Sequence, residues 1–376
     1  AVASIESGAN LKDDYLDYQA EFYASALREA NDDRRKAWVV AAPGDPARLR
    51  FFADLLNDHR IETHRLARDV TVDGKRFASA DSLIVSVSQP QYRLIRSIFE
   101  AIKEFEDATF YDVSTWTLPP AFGLDFAALE GRAFSPALVG AAYVPPPSAA
   151  AAPDEASFAY VFEWGPYFAP KALHRVLDAD LLARVATKPF AALTSKGSRN
   201  FPRGSIVVPL DRQEMNRTAI HDLMQTIAAE DGVAVHALTS GRSMTGPAGI
   251  NVGGPSVRAI EKPETLLVVG DDINLYDAGE IWHLADVRMR MPITLRRRDA
   301  LGDIEWERYS HIIFPSGDYE EYEPDFADRL RLWVKEGGTV IGMREAVSWV
   351  RANTIDWIDP DELAGTPAPN AQARAA

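Results

Sequence analysis

Between Glu264 and Trp349 the sequence alternates short apolar runs with polar loops and one amphipathic segment, a pattern that few folds satisfy. Thr265-Leu-Leu-Val-Val269 is apolar and rich in β-branched residues, and it breaks into the polar loop Gly270-Asp-Asp-Ile-Asn-Leu-Tyr-Asp-Ala-Gly279. Ile293-Thr-Leu295 and Ile312-Ile-Phe314 are runs of the same character. Asp325 to Lys335 then places Phe326, Leu330, Trp333 and Val334 at helical spacing, stops at Gly337-Gly338, and gives way to Thr339-Val-Ile-Gly-Met343. Buried strands alternating with helical segments closed by glycine predict a parallel sheet covered by helices.

These residues resemble the glutamine amidotransferase-like fold, a flavodoxin-like α/β sheet. Active members of that family carry a cysteine nucleophile on the sharp turn after the strand placed here at Thr339–Met343. This chain reads Gly342-Met343-Arg344-Glu345-Ala346 there, so the resemblance puts Arg344 at a degenerate nucleophile position. The whole chain contains no cysteine, and no histidine follows His311. Thiolate attack needs a nucleophile and a base within hydrogen-bond reach, so glutaminase chemistry at this turn is excluded.

With 376 residues, two or three α/β units are expected. A composition that is 47% hydrophobic and 25% charged supports a sizeable core. The net charge of −15 argues against nucleic acid or an anionic membrane surface as partner, since both call for a basic face. No apolar run approaches the length of a membrane span, and no basic-then-apolar signal sequence opens the chain. The absence of cysteine removes disulfides and cysteine-based zinc sites together.

Residues 1–36 read as a helical lead-in, with Tyr15, Tyr18, Phe22, Tyr23 and Leu27 near a 3.6-residue stripe. The chain is expected to be a piece of a longer polypeptide. An internal duplication follows. Residues 37–130 form a first α/β repeat, and residues 158–240 a second. Ser82-Leu-Ile-Val aligns with Ser205-Ile-Val-Val, Arg76 with Arg199, and Phe77 with Phe201. Solenoid repeats are shorter, so a repeat this long is a duplicated α/β subdomain. Residues 131–157 are Ala/Pro-rich and are expected to be a linker, as are the Gly-rich residues 241–262. The amidotransferase-like domain is placed at 263–360, and 361–376 is a tail.

A second resemblance covers nearly the whole chain. Ala37-Trp-Val-Val, Asp73-Gly-Lys-Arg-Phe77, Tyr111-Asp-Val-Ser-Thr-Trp-Thr-Leu-Pro119, Arg203-Gly-Ser-Ile-Val-Val-Pro209 and the pattern Asp277-x-Gly279-Glu280-x-Trp282 occur in that order. The series is similar to the region downstream of the catalytic domain in large secreted bacterial zinc carboxypeptidases. The resemblance implies a periplasmic or secreted location and a peptidase domain of the same polypeptide as partner. It also implies that the zinc, with its His-x-x-Glu pair, lies upstream of residue 1, leaving no cofactor and no metal in this chain.

Three local features compete with that view. His59-Arg-Ile-Glu62 has His-x-x-Glu spacing and His174 lies far downstream, but His59 ends a helical run and His174 sits inside one, so no metal site is expected. Asp271, Asp272, Asn274, Asp277, Glu280 and His283 cluster just beyond a strand's carboxyl end, where open α/β sheets receive ligands. They are the candidate ligand-binding residues, against the alternative of a solvated loop whose Asp and Asn cap the next helix. Trp164, Tyr167 and Phe168, like Tyr111 and Trp116, read as docking aromatics, and Arg296-Arg-Arg298 as a short solvated basic island. Two function classes result: a non-catalytic accessory region of a zinc carboxypeptidase, or a stand-alone ligand- or carbohydrate-binding module on an inactive amidotransferase-like fold.

Overall fold

In the computed structural model, which describes residues 2–101, 117–144, 150–244, 249–319 and 324–355, the chain is mixed α/β with several sheets. It divides into two units: Ala1–Ala149 with Gly165–Tyr167, and Ala150–Trp164 with Phe168–Ala376. No helix among the described residues is long and apolar enough to cross a membrane. The segment from Tyr111 to Trp116 and the tail 361–376 lie outside the described residues.

The first unit begins with helices α1 (Val2–Asn10) and α2 (Lys12–Asp32). Strand β1 (Arg35–Ala41), α3 (Pro46–Asp58), β2 (His64–Leu66), β3 (Val70–Val72), β4 (Lys75–Phe77), β5 (Ser82–Ser86) and α4 (Tyr92–Phe99) come next. Helix α5 (Leu118–Ala121), β6 (Asp125–Glu130) and β7 (Val139–Ala142) complete it. The main sheet has the order β6-β1-β5-β2-β7, and every neighbouring pair is antiparallel. Alternate residues of a strand face opposite sides. Trp38 and Val40 therefore join Leu49, Phe52 and Leu56 of α3 and Ile95 and Phe99 of α4 in one core. Ala37, Val39 and Ala41 point the other way, onto Val72 and Phe77 of the β3–β4 hairpin. That hairpin turns through Asp73 and Gly74, both at positive φ (50° and 78°), the backbone a two-residue turn needs to match strand twist.

The second unit opens with a mixed set of strands and helices. They are β8 (Ala159–Phe162), α6 (Ala169–Asp178), β9 (Ala183–Ala186), β10 (Phe190–Thr194), β11 (Gly197–Phe201), β12 (Ile206–Pro209), α7 (Arg217–Thr226), β13 (Val235–Leu238) and β14 (Val257–Ile260). The sheet order is β11-β10-β13-β8-β12-β9-β14. Tyr160 and Phe162 meet Val176 of α6 and Ile220 and Met224 of α7, whereas Ala159 and Val161 meet Phe190 and Phe201 of the β10–β11 hairpin. A π-type turn after α7 carries Asp231, whose carboxylate is closed off from solvent and lies 2.7 Å from both Lys171 Nζ and Arg175 Nε.

Parts of both expected linkers are built into the sheets. Residues 139–142 are β7, paired with β2, and residues 257–260 are β14, paired with β9. Ala-rich and Gly-rich sequence still offers backbone donors and acceptors to an open sheet edge. Val252, 3% exposed, packs beneath β10 and β13 in the same core as Phe190 and Leu238.

His236 of β13 lies edge-on to Phe201 at 5.6 Å. Burial, with Arg199 alongside, holds its imidazole down to about 4. The folded chain therefore keeps His236 neutral, while the unfolded chain, with an ordinary pKa of ~6.5, takes up the proton first as pH falls. Its contribution to stability is complete above pH ~6.5 and is lost progressively as pH falls toward the folded value. The unfolding midpoint of the native chain should fall more steeply across that window than that of His236→Gln. Superimposable pH profiles would overturn this.

The remainder of the second unit is a four-stranded parallel sheet of order β16-β15-β17-β18, formed by β15 (Thr265–Val269), β16 (Thr294–Arg297), β17 (His311–Phe314) and β18 (Thr339–Gly342). Helices α8 (Leu275–Trp282), α9 (Pro324–Lys335) and α10 (Ala346–Thr354) accompany it. Leu266, Val268, Ile312 and Phe314 of the central strands pack with Phe326, Leu330 and Trp333 of α9 and Val350 of α10.

Candidate functional site

All four parallel strands end on one edge, so the loops after β15, β16, β17 and β18 gather there. The loop after β15 is shaped by Gly270 (φ 116°) and Asp272 (φ 62°). It is pinned to the loop after β17 by an isolated bridge between Ile273 and Gly317, in which Asn274 N–H donates to Ser316 O at 2.8 Å and Asp318 N–H to Asp272 O at 3.0 Å.

The candidate residues of this loop separate into distinct roles. Asn274 caps α8: its Oδ1 accepts from Tyr276 N–H at 3.0 Å and Asp277 N–H at 3.3 Å, satisfying donors that a helix start leaves open. Asp277, in the first turn of α8, lies 3.5 Å from Arg344 Nη1. Glu280 and His283 are exposed along α8 and its end. Asp271 and Asp272 turn toward β16 and line a cleft of about 650 Å³ with Arg297, Arg298, Asp299 and Arg329.

The basic island is therefore not uniformly solvated. Arg298 is 14% exposed in its side chain and pairs with Asp272 at 3.0 Å, while Arg297 bridges Asp271 at 3.1 Å and Asp299 at 3.2 Å. Sequence spacing concealed this because parallel pairing of β15 and β16 brings residues 271–272 beside 297–298. The signal in the sequence was an acidic pair and a basic pair, each near the carboxyl end of a strand.

Arg344 stands on the turn between β18 and α10 with φ 50°, a left-handed backbone unusual for a residue with a Cβ. At Gly342 a Cβ would come 3.1 Å from Val350 Cγ2 and 3.3 Å from Val347 Cα, so glycine lets the helix approach the strand closely. The Ser316 hydroxyl donates to the Glu345 carboxylate, and that bond holds the carboxylate below its ordinary range. His311, the last histidine of the chain, opens β17 at the opposite end of the sheet and hydrogen-bonds Ser310.

The His-x-x-Glu match spans the end of a helix and the turn that follows it. Helix α3 ends at Asp58, and Arg60 (φ 58°) turns the chain between His59 and Glu62, so the two side chains share no helical face. Trp164 lines an apolar pocket of about 420 Å³ with Leu173, Val185, Ile206 and Ile260.

Gly317→Ala should disturb this edge more than any exposed substitution. The added Cβ would sit 2.7 Å from Asp272 O, a backbone atom that cannot swing aside. The expected cost is about 1–3 kcal/mol, with faster hydrogen exchange at Asn274 and Asp318. Unchanged protection of both amides would refute the clash.

No family model matches this chain, and no curated protein and no solved structure matches it either.

Proposed function

We propose that this chain is a non-catalytic accessory region of an exported zinc carboxypeptidase-like metallopeptidase. In it, two duplicated α/β subdomains carry a flavodoxin-like, amidotransferase-like sheet that has lost its nucleophile. The observation that carries the non-catalytic part is the turn at Arg344. It keeps a left-handed backbone between a parallel strand and a helix, the setting of a nucleophile elbow. It presents a permanently cationic guanidinium there, in a chain without cysteine.

Shared strand order supports the duplication. β6-β1-β5-β2-β7 matches β13-β8-β12-β9-β14 position by position, each hairpin lies on the face away from the helices, and Phe77 and Phe201 are both buried. The parallel order β16-β15-β17-β18 is the start of the 2-1-3-4-5 order of flavodoxin-like sheets and supports that assignment. The peptidase parent rests on the ordered motif series read from the sequence, and the zinc would be held by that parent.

Isolation of the native protein with an antibody against this chain tests the proposal. A polypeptide longer than 376 residues, recovered from the periplasm or medium, containing zinc and releasing C-terminal residues from peptides, is expected. A zinc-free chain of this length without peptidase activity would overturn it.

A further inference from the structure

Among the described residues, the cleft beside β16 has charges that its own walls do not balance. Arg297 is held by Asp271 and Asp299, and Arg298 by Asp272, so these side chains form fixed walls. Arg329, in the second turn of α9, donates through Nη1 to Gly302 O at 3.0 Å, with its guanidinium 5.5 Å from the Trp306 ring centre. Its other donors have no hydrogen-bond partner among the described residues. Asp303 and Asp325 line the same cavity and pair with no cation among the described residues. Among the described residues, one available guanidinium and two available carboxylates therefore share one cleft.

We propose that this cleft binds a free basic amino acid, with Arg329 receiving the α-carboxylate and Asp303 and Asp325 the two cationic groups. A planar guanidinium fork suits a carboxylate, and charge-assisted hydrogen bonds are the stronger class. A ligand with one anionic and two cationic groups matches the unpaired set one for one. An apolar amino acid leaves one carboxylate unmatched, a diamine leaves Arg329 unmatched, and a dicarboxylate brings like charge against Asp303 and Asp325. The cavity of about 650 Å³ falls within the roughly 300–1,000 Å³ usual for small-molecule sites. It also lies at the carboxyl ends of parallel strands, where open α/β sheets receive ligands. Binding here needs no attached peptidase.

Calorimetric titration of the 376-residue chain with L-lysine, cadaverine, L-leucine and glutarate at low ionic strength tests the assignment. L-Lysine should bind at a single site, with cadaverine and L-leucine about tenfold weaker or worse and glutarate silent. Arg329→Gln should weaken L-lysine about tenfold and leave cadaverine unchanged, whereas Asp303→Asn with Asp325→Asn should weaken both by a similar factor. Arg329, Asp303 and Asp325 are all exposed, so every variant should stay folded, and the isosteric Asp303→Asn and Asp325→Asn should keep the native melting temperature. Absence of heat with L-lysine, equal affinity for L-lysine and cadaverine in the native chain, or unaltered L-lysine binding by Arg329→Gln would each overturn it.

Discussion

Asp231→Ala should destabilise the second unit by about 3–5 kcal/mol, the usual cost of breaking a buried ion pair from one side. The carboxylate is closed off from solvent, and Lys171 and Arg175 are only 12% and 23% exposed in their side chains. Arg175 keeps a second partner in Glu230 at 2.5 Å, so Lys171 is the cation left stranded. Replacing both ends with apolar groups of similar volume, Asp231→Leu with Lys171→Met, should recover much of the loss, because the desolvation cost then disappears with the charges. Urea unfolding, with hydrogen exchange over residues 169–178 to localise the effect, makes the measurement. A loss below about 1 kcal/mol in the single variant would show that water reaches the site and screens it.

The first unit should respond as strongly to Phe52→Ala, at about 3–5 kcal/mol. Phe52 is fully buried on α3, with Phe99 edge-on at 5.7 Å and Phe122 at 5.4 Å. Truncation removes both aromatic contacts and leaves a void, because α3 is held against the sheet at several other points and cannot close onto it. Phe52→Leu should cost clearly less, since it refills most of the volume. Equal losses for the two variants would mean that the ring edges, and not the filled volume, carry the energy.

The sequence by itself determined the local elements. Short continuous apolar runs marked β1, β5, β8 and β12, because a strand covered on both faces carries apolar residues at successive positions. Asp73-Gly74 suits the first hairpin turn, since both residues tolerate positive φ. Gly337-Gly338 stopped α9, and Asn274 capped α8, each through chemistry confined to a few neighbouring residues. What stayed hidden is everything that depends on who neighbours whom. The edge strands β7 and β14 lay inside stretches read as linkers, because an edge strand needs backbone groups more than apolar side chains, and those leave no compositional trace. The charged cleft was invisible for the same reason. Asp271 and Asp272 meet Arg297 and Arg298 only because β15 and β16 run parallel, with a crossover of over twenty residues between them. The sequence supplied the charges, and strand pairing in the tertiary structure decided that they would face one another.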